Sequence, residues 1–411
     1  MTHQSNYALD RLGVYAFESL VNFVQCYTRL EIRYLPPSHA ANLYFALYPN
    51  ETEPIWTNPC DDKNHLQLWS PNKTCSFLPD LLIVGPQKTG STALHLFMSL
   101  HPRVQSSMPT KHGFEEVQFF TDKRMYRKGL DWYLSLFPTT PPFQHLNTTT
   151  SANVRKTLID YSDDHDDVGK PEDYVSDKSL ATEPYKKPLD RAEYVIFEKS
   201  ATYFDNELAI SRIKALLPRT KIVILIEDPA RRAYSWYQHQ KAKNNRLAVN
   251  SSFYEILTSE DPKYKSLRNR CLHPGQYAQH IDKWLMLYPA SSLHFVDSQQ
   301  LRNDPASVMN DLQAFAKIEP VVDYNKLLKF DRNKGFYCPV DEYSKRLHCL
   351  GKSKGRKYDE MDEKSKHYLS SYFRSHNLRL LNVLKHLGAK VPTWLQHEFT
   401  NVKSDIKGNQ K

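Results

Sequence analysis

Leu81-Leu82-Ile83-Val84-Gly85-Pro86-Gln87-Lys88-Thr89-Gly90-Ser91-Thr92 decides the fold. An apolar run of strand length ends in a Gly-rich turn. Ser91 and Thr92 then open a segment with helical spacing through Ala93, Leu94, Phe97 and Met98. Strand, tight turn and helix start, in that order, present a row of backbone N–H groups and a positive dipole end to an anion, usually a phosphate. Two glycines permit close backbone approach, and Lys88 adds a mobile point charge.

The loop is nearly the phosphate loop of nucleotide hydrolases, Gly-x4-Gly-Lys-Ser/Thr, in which lysine follows the second glycine. Here Ser91 follows Gly90, and Lys88 stands two residues before that glycine. A nucleoside-triphosphate kinase or ATPase is therefore the weaker reading, and no clear Mg2+-binding aspartate follows an apolar strand. The order Gly-x-x-Lys-Thr-Gly-Ser-Thr resembles the 5′-phosphosulfate loop of sulfotransferases using 3′-phosphoadenosine 5′-phosphosulfate (PAPS). The plain alternative is an ordinary strand–helix turn that happens to carry Gly and Lys.

The 411 residues suffice for one large domain or two smaller ones. Lys+Arg 55 against Asp+Glu 46 gives a net charge of +9, with a pI near 9.0. That suits a nucleotide, nucleic acid, sulfated glycan or membrane surface without choosing among them. No run approaches the roughly 18 apolar residues of a membrane span, and no signal-peptide pattern follows Met1. Six cysteines and four N-glycosylation patterns, at Asn50, Asn72, Asn147 and Asn250, favour a secretory lumen. The reading is a partial chain whose leader, and any membrane anchor, would lie upstream.

Residues 1–48 read as helix-rich, with Val14, Phe17, Leu20, Val21 and Val24 at helical spacing. Residues 49–79 are polar and turn-rich, with Cys60 and Cys75 bracketing Trp69 as a linker or a packed, disulfide-closed loop. From Pro79 strands and helices alternate, as in an α/β domain with a parallel sheet flanked by helices. The expected strands are Tyr194–Phe197, Ile222–Ile226 and Leu293–Val296. The expected helices are Glu207–Leu217, Pro229 to about Lys241, Gly275–Tyr288, Pro305–Ala316 and Glu363–Leu387. Asp228-Pro229 and Asp304-Pro305 each set an N-cap carboxylate before a proline at the first helical position. Residues 139–192, with Thr/Pro clusters and the acidic run Asp163 to Asp167, read as an inserted, mostly disordered surface loop. Residues 401–411 read as a flexible tail.

Two further blocks carry chemistry. Glu227-Asp228-Pro229-Ala230-Arg231-Arg232-Ala233-Tyr234-Ser235-Trp236-Tyr237-Gln238-His239 follows an apolar strand and opens a capped helix. Arg232 and Ser235, three apart, share a helix face, and an arginine fork plus a hydroxyl suits a terminal phosphate. This resembles the 3′-phosphate motif of sulfotransferases, although Glu227 occupies a position commonly held by arginine. Read plainly, it is an amphipathic helix with Trp236 and Tyr237 in the core. The other block, Cys349-Leu350-Gly351-Lys352-Ser353-Lys354-Gly355-Arg356-Lys357-Tyr358, is a basic Gly/Ser-laced loop that can wrap an anion. A Cys338–Cys349 bridge would stiffen it, at roughly 3 kcal/mol for closing a loop of about a dozen residues.

Together with Phe114 to Phe120, Lys128 to Tyr133, Phe197-Glu198-Lys199-Ser200 and Asn269 to Leu272, these blocks resemble the C-terminal sulfotransferase domain of heparan sulfate N-deacetylase/N-sulfotransferases. The resemblance runs from about 76 to 397, in a domain extending to about 400. Residues 1–75 resemble the tail of that family's deacetylase region, so deacetylation is not expected of this chain. The resemblance implies PAPS as co-substrate, heparan sulfate or heparosan as acceptor, and a Golgi lumen. It implies that Lys88 assists the departing phosphate while Thr89, Gly90, Ser91 and Thr92 line the cradle. Ser235 with Arg232 would hold the 3′-phosphate, Tyr337 would stack on adenine, and Lys354, Gly355, Arg356, Lys357 and Tyr358 would close over the nucleotide. Glu116 would be the base taking the amine proton, with Glu115, Lys199, Trp236 and His239 on the substrate side.

Bottom-up chemistry agrees, since sulfuryl transfer, like phosphoryl transfer, needs positioning, a base and cations where charge develops. On a helix Glu115 and Glu116 would diverge by about 100 degrees, so only one could face the site. Residue chemistry alone leaves open which. No His/Cys/Asp spacing demands a metal, and the 17 histidines are scattered. A heparan O-sulfotransferase would share the nucleotide motifs. An inactive glycan- or nucleic-acid-binding module would explain the charge but not the phosphate loop, which argues against a nucleic-acid partner.

Overall fold

The structure is a computed structural model describing residues 55–58, 78–107, 116–138, 141–142, 189–341, 344–351 and 354–400. The helix-rich segment 1–48, Cys60, Cys75, the acidic run and the tail 401–411 lie outside the described residues.

Five strands form one parallel sheet: β1 Leu81–Gly85, β2 Val104–Ser106, β3 Val195–Lys199, β4 Lys221–Ile226 and β5 Leu293–Asp297. Their spatial order is β2-β3-β1-β4-β5. All β1 residues and all of β4 but Lys221 are buried, as a sheet covered on both faces requires. Side-chain alternation sends Leu82, Val84, Ile222 and Ile224 into one apolar layer and Leu81, Ile83, Val223 and Leu225 into the other.

Helices fill the layers and frame the site. They are α1 Ser91–Ser99, α2 Glu207–Leu216, α3 Pro229–Ala242, α4 Lys265–Leu272, α5 Tyr277–Leu287, α6 Pro305–Ala316 and α7 Glu363–His386. The first layer packs against α2, α5 and α7, and the second against α1 and α6. A third cluster joins Ala233 and Tyr237 of α3, Cys271 and Leu272 of α4, and Leu369 and Phe373 of α7. Asp228 caps α3 by accepting from Ala230 N, and Asp304 caps α6 by accepting from Ser307 N.

Expected strands and long helices stand within one or two residues of their expected bounds. Pro274 and Gly275 instead form a short 3-10 turn before α5. Sequence reasoning missed β2, α4, the short helices Arg246–Asn250 and Phe253–Thr258, and the antiparallel hairpin of β6 Leu328–Asp331 and β7 Phe336–Pro339. β2 is three residues long, and α4 is largely polar, so neither has an apolar period to read.

Of the segment 139–192 read as an insertion, residues 141–142 and 189–192 are described. Leu189 is buried in the core, and its N–H donates to Pro142 O at 2.8 Å. Arg191 grips Asp80 with Nη2 at 2.8 and 2.7 Å from the two carboxylate oxygens. Residues 189–192 therefore belong to the domain, because β3 needs them to reach the sheet. Residues 142 and 189 stand side by side, so a short bridge spans the gap between them. Replacing 143–188 by a short Gly/Ser linker should leave the melting transition and nucleotide affinity unchanged. A lost or broadened transition would show that the segment packs on the core.

Candidate active site

The chain runs from β1 to one side of the sheet through β2 and β3, then crosses to β4 on the other side. That reversal opens a crevice at the carboxyl ends of β1 and β4, where α/β sheets bind ligands. The loop after β1 and the turn into α3 meet there, which brings the first two sequence blocks together.

Gly85 has φ +96°, and a Cβ there would lie 2.5 Å from Ala201 O, so only glycine fits. Thr89 Oγ1 donates to Pro86 O at 2.7 Å, which ties the turn. Gly90, at φ +93°, opens α1 without a side-chain cap, and a helix start of this kind presents backbone N–H groups suited to an anion. Lys88 itself adopts φ +73°, a left-handed residue in the middle of the loop.

Lys354 Nζ lies 3.1 Å from Thr92 Oγ1, so the basic block reaches across to the phosphate loop. Gly355 passes the Phe336 ring so closely that a Cβ would sit 2.4 Å from it. Tyr234 OH donates to Asp359 O at 3.0 Å, and its ring meets that of Tyr358 edge-on. Arg356, Lys357 and Tyr358 are exposed. Cys338 and Cys349 are disulfide-bonded, fastening the start of this block to β7. Tyr337 is half-buried on β7, its ring edge-on to Phe330.

On α3, burial and the positive charges of Lys88, Lys243, Arg356 and Lys354 push the His239 pKa down to about 4. These cations are therefore near enough for their charges to disfavour a protonated ring. Among the described residues His239 Nδ1 and Trp236 Nε1 are buried without a hydrogen-bond partner, and the two rings lie side by side. Two orphaned polar atoms amid several cations fit an anionic, hydrogen-bonding ligand. Ser235 is half-buried on the same helix.

Arg232 departs from expectation. It is fully buried, and its guanidinium donates to Gln87 O at 3.5 Å, Arg270 O at 3.1 Å and Cys271 O. It satisfies the carbonyl end of α4, where a cation is favoured, and braces the phosphate loop from behind. Among the described residues its Nε has no hydrogen-bond partner. Glu227 is also paired: its carboxylate accepts from both terminal nitrogens of Arg302.

At the end of β3, Lys199 is fully buried with Nζ 3.2 Å from Glu116 Oε1. Gln118 Nε2 donates to Glu116 Oε2 at 3.1 Å. Glu116 lies in an irregular stretch instead of a helix, so the helical argument for choosing between the two glutamates does not apply. Glu115 lies outside the described residues. Sequence reasoning also missed a role for Arg270, which holds Asp205 Oδ2 at 2.7 Å and Gln87 Oε1 at 2.8 Å and stacks on Trp236. Pairings across 65 and 183 positions leave no local pattern to read.

Residues 78–387 match the family model described as "Sulfotransferase domain". The chain belongs to that family. Over 98% of its length it is 45% identical to bifunctional heparan sulfate N-deacetylase/N-sulfotransferase 2 of Bos taurus. Over 97% it is 45% identical to the bifunctional heparan sulfate N-deacetylase/N-sulfotransferase of Drosophila melanogaster. It spans 40% and 35% of those two relatives. A solved sulfotransferase from Alicyclobacillus acidocaldarius aligns with 76% of this chain and 97% of its own, at 17% identity and a TM-score of 0.48.

The His239 ring should stay neutral from pH 8 down to about 5, because its folded value is about 4. Its NMR shifts should not move in that range for the free protein. Binding of 3′-phosphoadenosine 5′-phosphate should raise the midpoint by neutralising the surrounding cations. A free-protein midpoint near the ordinary histidine value would show that the cations do not face the ring.

Proposed function

We propose that this chain transfers a sulfuryl group from PAPS to the free amine of glucosamine in N-deacetylated heparan sulfate or heparosan. The observation that carries the reading is the convergence, at one end of the sheet, of a phosphate loop, a basic strap on Thr92 and an ion-paired glutamate. Relatives named as N-deacetylase/N-sulfotransferases supply the acceptor class.

In this reading Thr89 to Thr92 and the start of α1 receive the 5′-phosphosulfate, and Lys88 stands at the oxygen that departs with the phosphate. Ser235 receives the 3′-phosphate while Arg232 positions the loop behind it. Tyr337 stacks on the base, and Lys354 to Tyr358 close over the nucleotide. The amine nitrogen attacks sulfur, the bond from sulfur to the phosphate oxygen breaks, and Glu116 takes the proton lost from nitrogen. Lys199 and Gln118 fix the two Glu116 oxygens. Trp236 and His239 face the acceptor. The reaction then takes place in the Golgi lumen, with a heparan-type polysaccharide as partner.

Labelled PAPS should label N-deacetylated heparosan but neither fully N-acetylated nor fully N-sulfated polymer. Label on the N-sulfated polymer would make the chain an O-sulfotransferase, and no label with glycan binding intact would make it a binding module. Glu116→Gln should lose about 10²–10⁴-fold in turnover while keeping its calorimetric affinity for 3′-phosphoadenosine 5′-phosphate. Lys88→Ala should lower both. Near-normal turnover in Glu116→Gln beside an inactive Glu115→Gln would move the base by one residue.

A luminal chain should also carry sugar where its acceptor pattern is accessible. Asn250 is exposed at the end of a short helix, and Ser252 caps the next by accepting from Glu255 N. Deglycosylation of secreted protein in 18O-water should tag Asn250. An unmodified Asn250 peptide throughout would count against the luminal reading.

A further inference from the structure

Behind the base, a second carboxylate has no role in the scheme above. Glu198 lies on β3 with 0% exposure, and burying a carboxylate is costly unless donors surround it. Three do. Tyr133 OH, from the helix Gly129–Ser135, donates to Oε2 at 2.5 Å. Ser200 Oγ and Tyr203 OH donate to Oε1 at 2.9 and 2.6 Å. Burial pushes the carboxyl up from its ordinary value, these three donors oppose it, and the nearby charge of Glu116 adds to the rise. Lys199, between Glu198 and Ser200 in sequence, carries the other charge of the cluster.

The two hydroxyls on Oε1 are also acceptors. Ser200 Oγ receives the Gln118 N–H at 2.9 Å, and Tyr203 OH receives the Phe120 N–H at 3.5 Å. Both amides belong to the irregular stretch that bears Glu116. Gln118 adopts φ +53°, a conformation that surroundings must enforce in a non-glycine residue. Its side chain holds Glu116 Oε2. A hydroxyl has one proton and two lone pairs, so a carboxylate that takes both protons leaves both oxygens facing the amides.

We infer that Glu198 is a positioning residue: through Ser200 and Tyr203 it orients the backbone at Gln118 and Phe120, and so holds the carboxylate of Glu116 toward the acceptor amine. This rests on Glu116 being the base. A neutral amide at position 198 keeps only one acceptor: with its oxygen on Ser200 and Tyr203 it points an N–H at Tyr133, whose buried proton then loses its acceptor, and the whole set must shift. An alanine at 200 removes one arm while leaving Glu198 with both tyrosines.

The test compares Glu198→Gln, Ser200→Ala, Ser200→Thr and Glu116→Gln in the full chain. Turnover, KM for PAPS and N-deacetylated heparosan, and calorimetric affinity for 3′-phosphoadenosine 5′-phosphate are measured for each. Glu198→Gln and Ser200→Ala should lose about 10- to 10²-fold in kcat, the scale of a small misplacement of a reacting group. Nucleotide affinity and KM for PAPS should be unchanged. Ser200→Thr, which keeps the hydroxyl, should recover most of the rate. Adding Ser200→Ala to Glu116→Gln should not lower the residual turnover further, because both act through one carboxylate. If Glu198→Gln does not fold, the serine variants and this cycle decide alone. Normal kcat in Ser200→Ala beside an inactive Glu116→Gln overturns the inference and leaves the base in place. So does a Ser200→Ala loss that multiplies in the Glu116→Gln background, or one matched by lost nucleotide affinity. Normal turnover in Glu116→Gln removes the base and the inference together.

Discussion

The site depends on how closely the end of β1 passes the backbone after β3. Gly85 lies against Ala201, where a Cβ would have to occupy space within 2.5 Å of a carbonyl oxygen. Ser200 N donates to Ile83 O and Phe204 N to Val84 O, at 3.0 and 3.1 Å. These contacts make neighbours of two pieces of chain more than a hundred positions apart: the glycine-rich loop after β1 and the strand end that pairs with Glu116. A bulkier residue at 85 would separate the proposed anion cradle from the proposed base. Neither part could then serve a reaction that needs both within one ligand's length.

Charge at the site is sorted by burial. Arg232 and Arg302, both near the start of α3, donate to protein groups: backbone carbonyls for one and Glu227 for the other. Lys88, Lys243, Arg356 and Lys354 are the cations whose charges depress His239. Crowding like charges about a half-buried ring is unfavourable for the empty protein and becomes favourable once a polyanion enters. The disulfide and the Tyr234 contacts hold the strap near that position in advance, which lowers the ordering cost of binding.

Two polar residues on a buried strand hold the stretch around Glu116. Glu198 and Lys199 end a strand whose other members are apolar. They point to opposite faces by the two-residue period. Lys199 meets Glu116 directly, whereas Glu198 meets the chain around it through hydroxyls. One strand end thereby reaches the same carboxylate by two routes. An irregular segment such as 116–120 has no helix or ladder of its own to hold it, and buried partners take that place.

Strand–turn–helix order, the two glycines, Lys88, the proline-capped helices and the basic block were legible in the sequence. Each is a local pattern whose physics acts over a few residues: apolar periodicity, φ > 0 at glycine, a carboxylate accepting two N–H groups. The family follows from the same patterns. What only the tertiary structure decided are the long-range pairings. Arg232 shares a helix face with Ser235, as spacing requires, yet it is buried and its guanidinium donates to the backbone carbonyls of residues far away in sequence. The choice of Glu116 as the residue held by Lys199 and Gln118 comes from a loop path with no periodicity to read. Hydrogen bonds of that reach are set by where β1, β3 and α4 pack. Packing is a property of the whole sheet, and no window of sequence contains it.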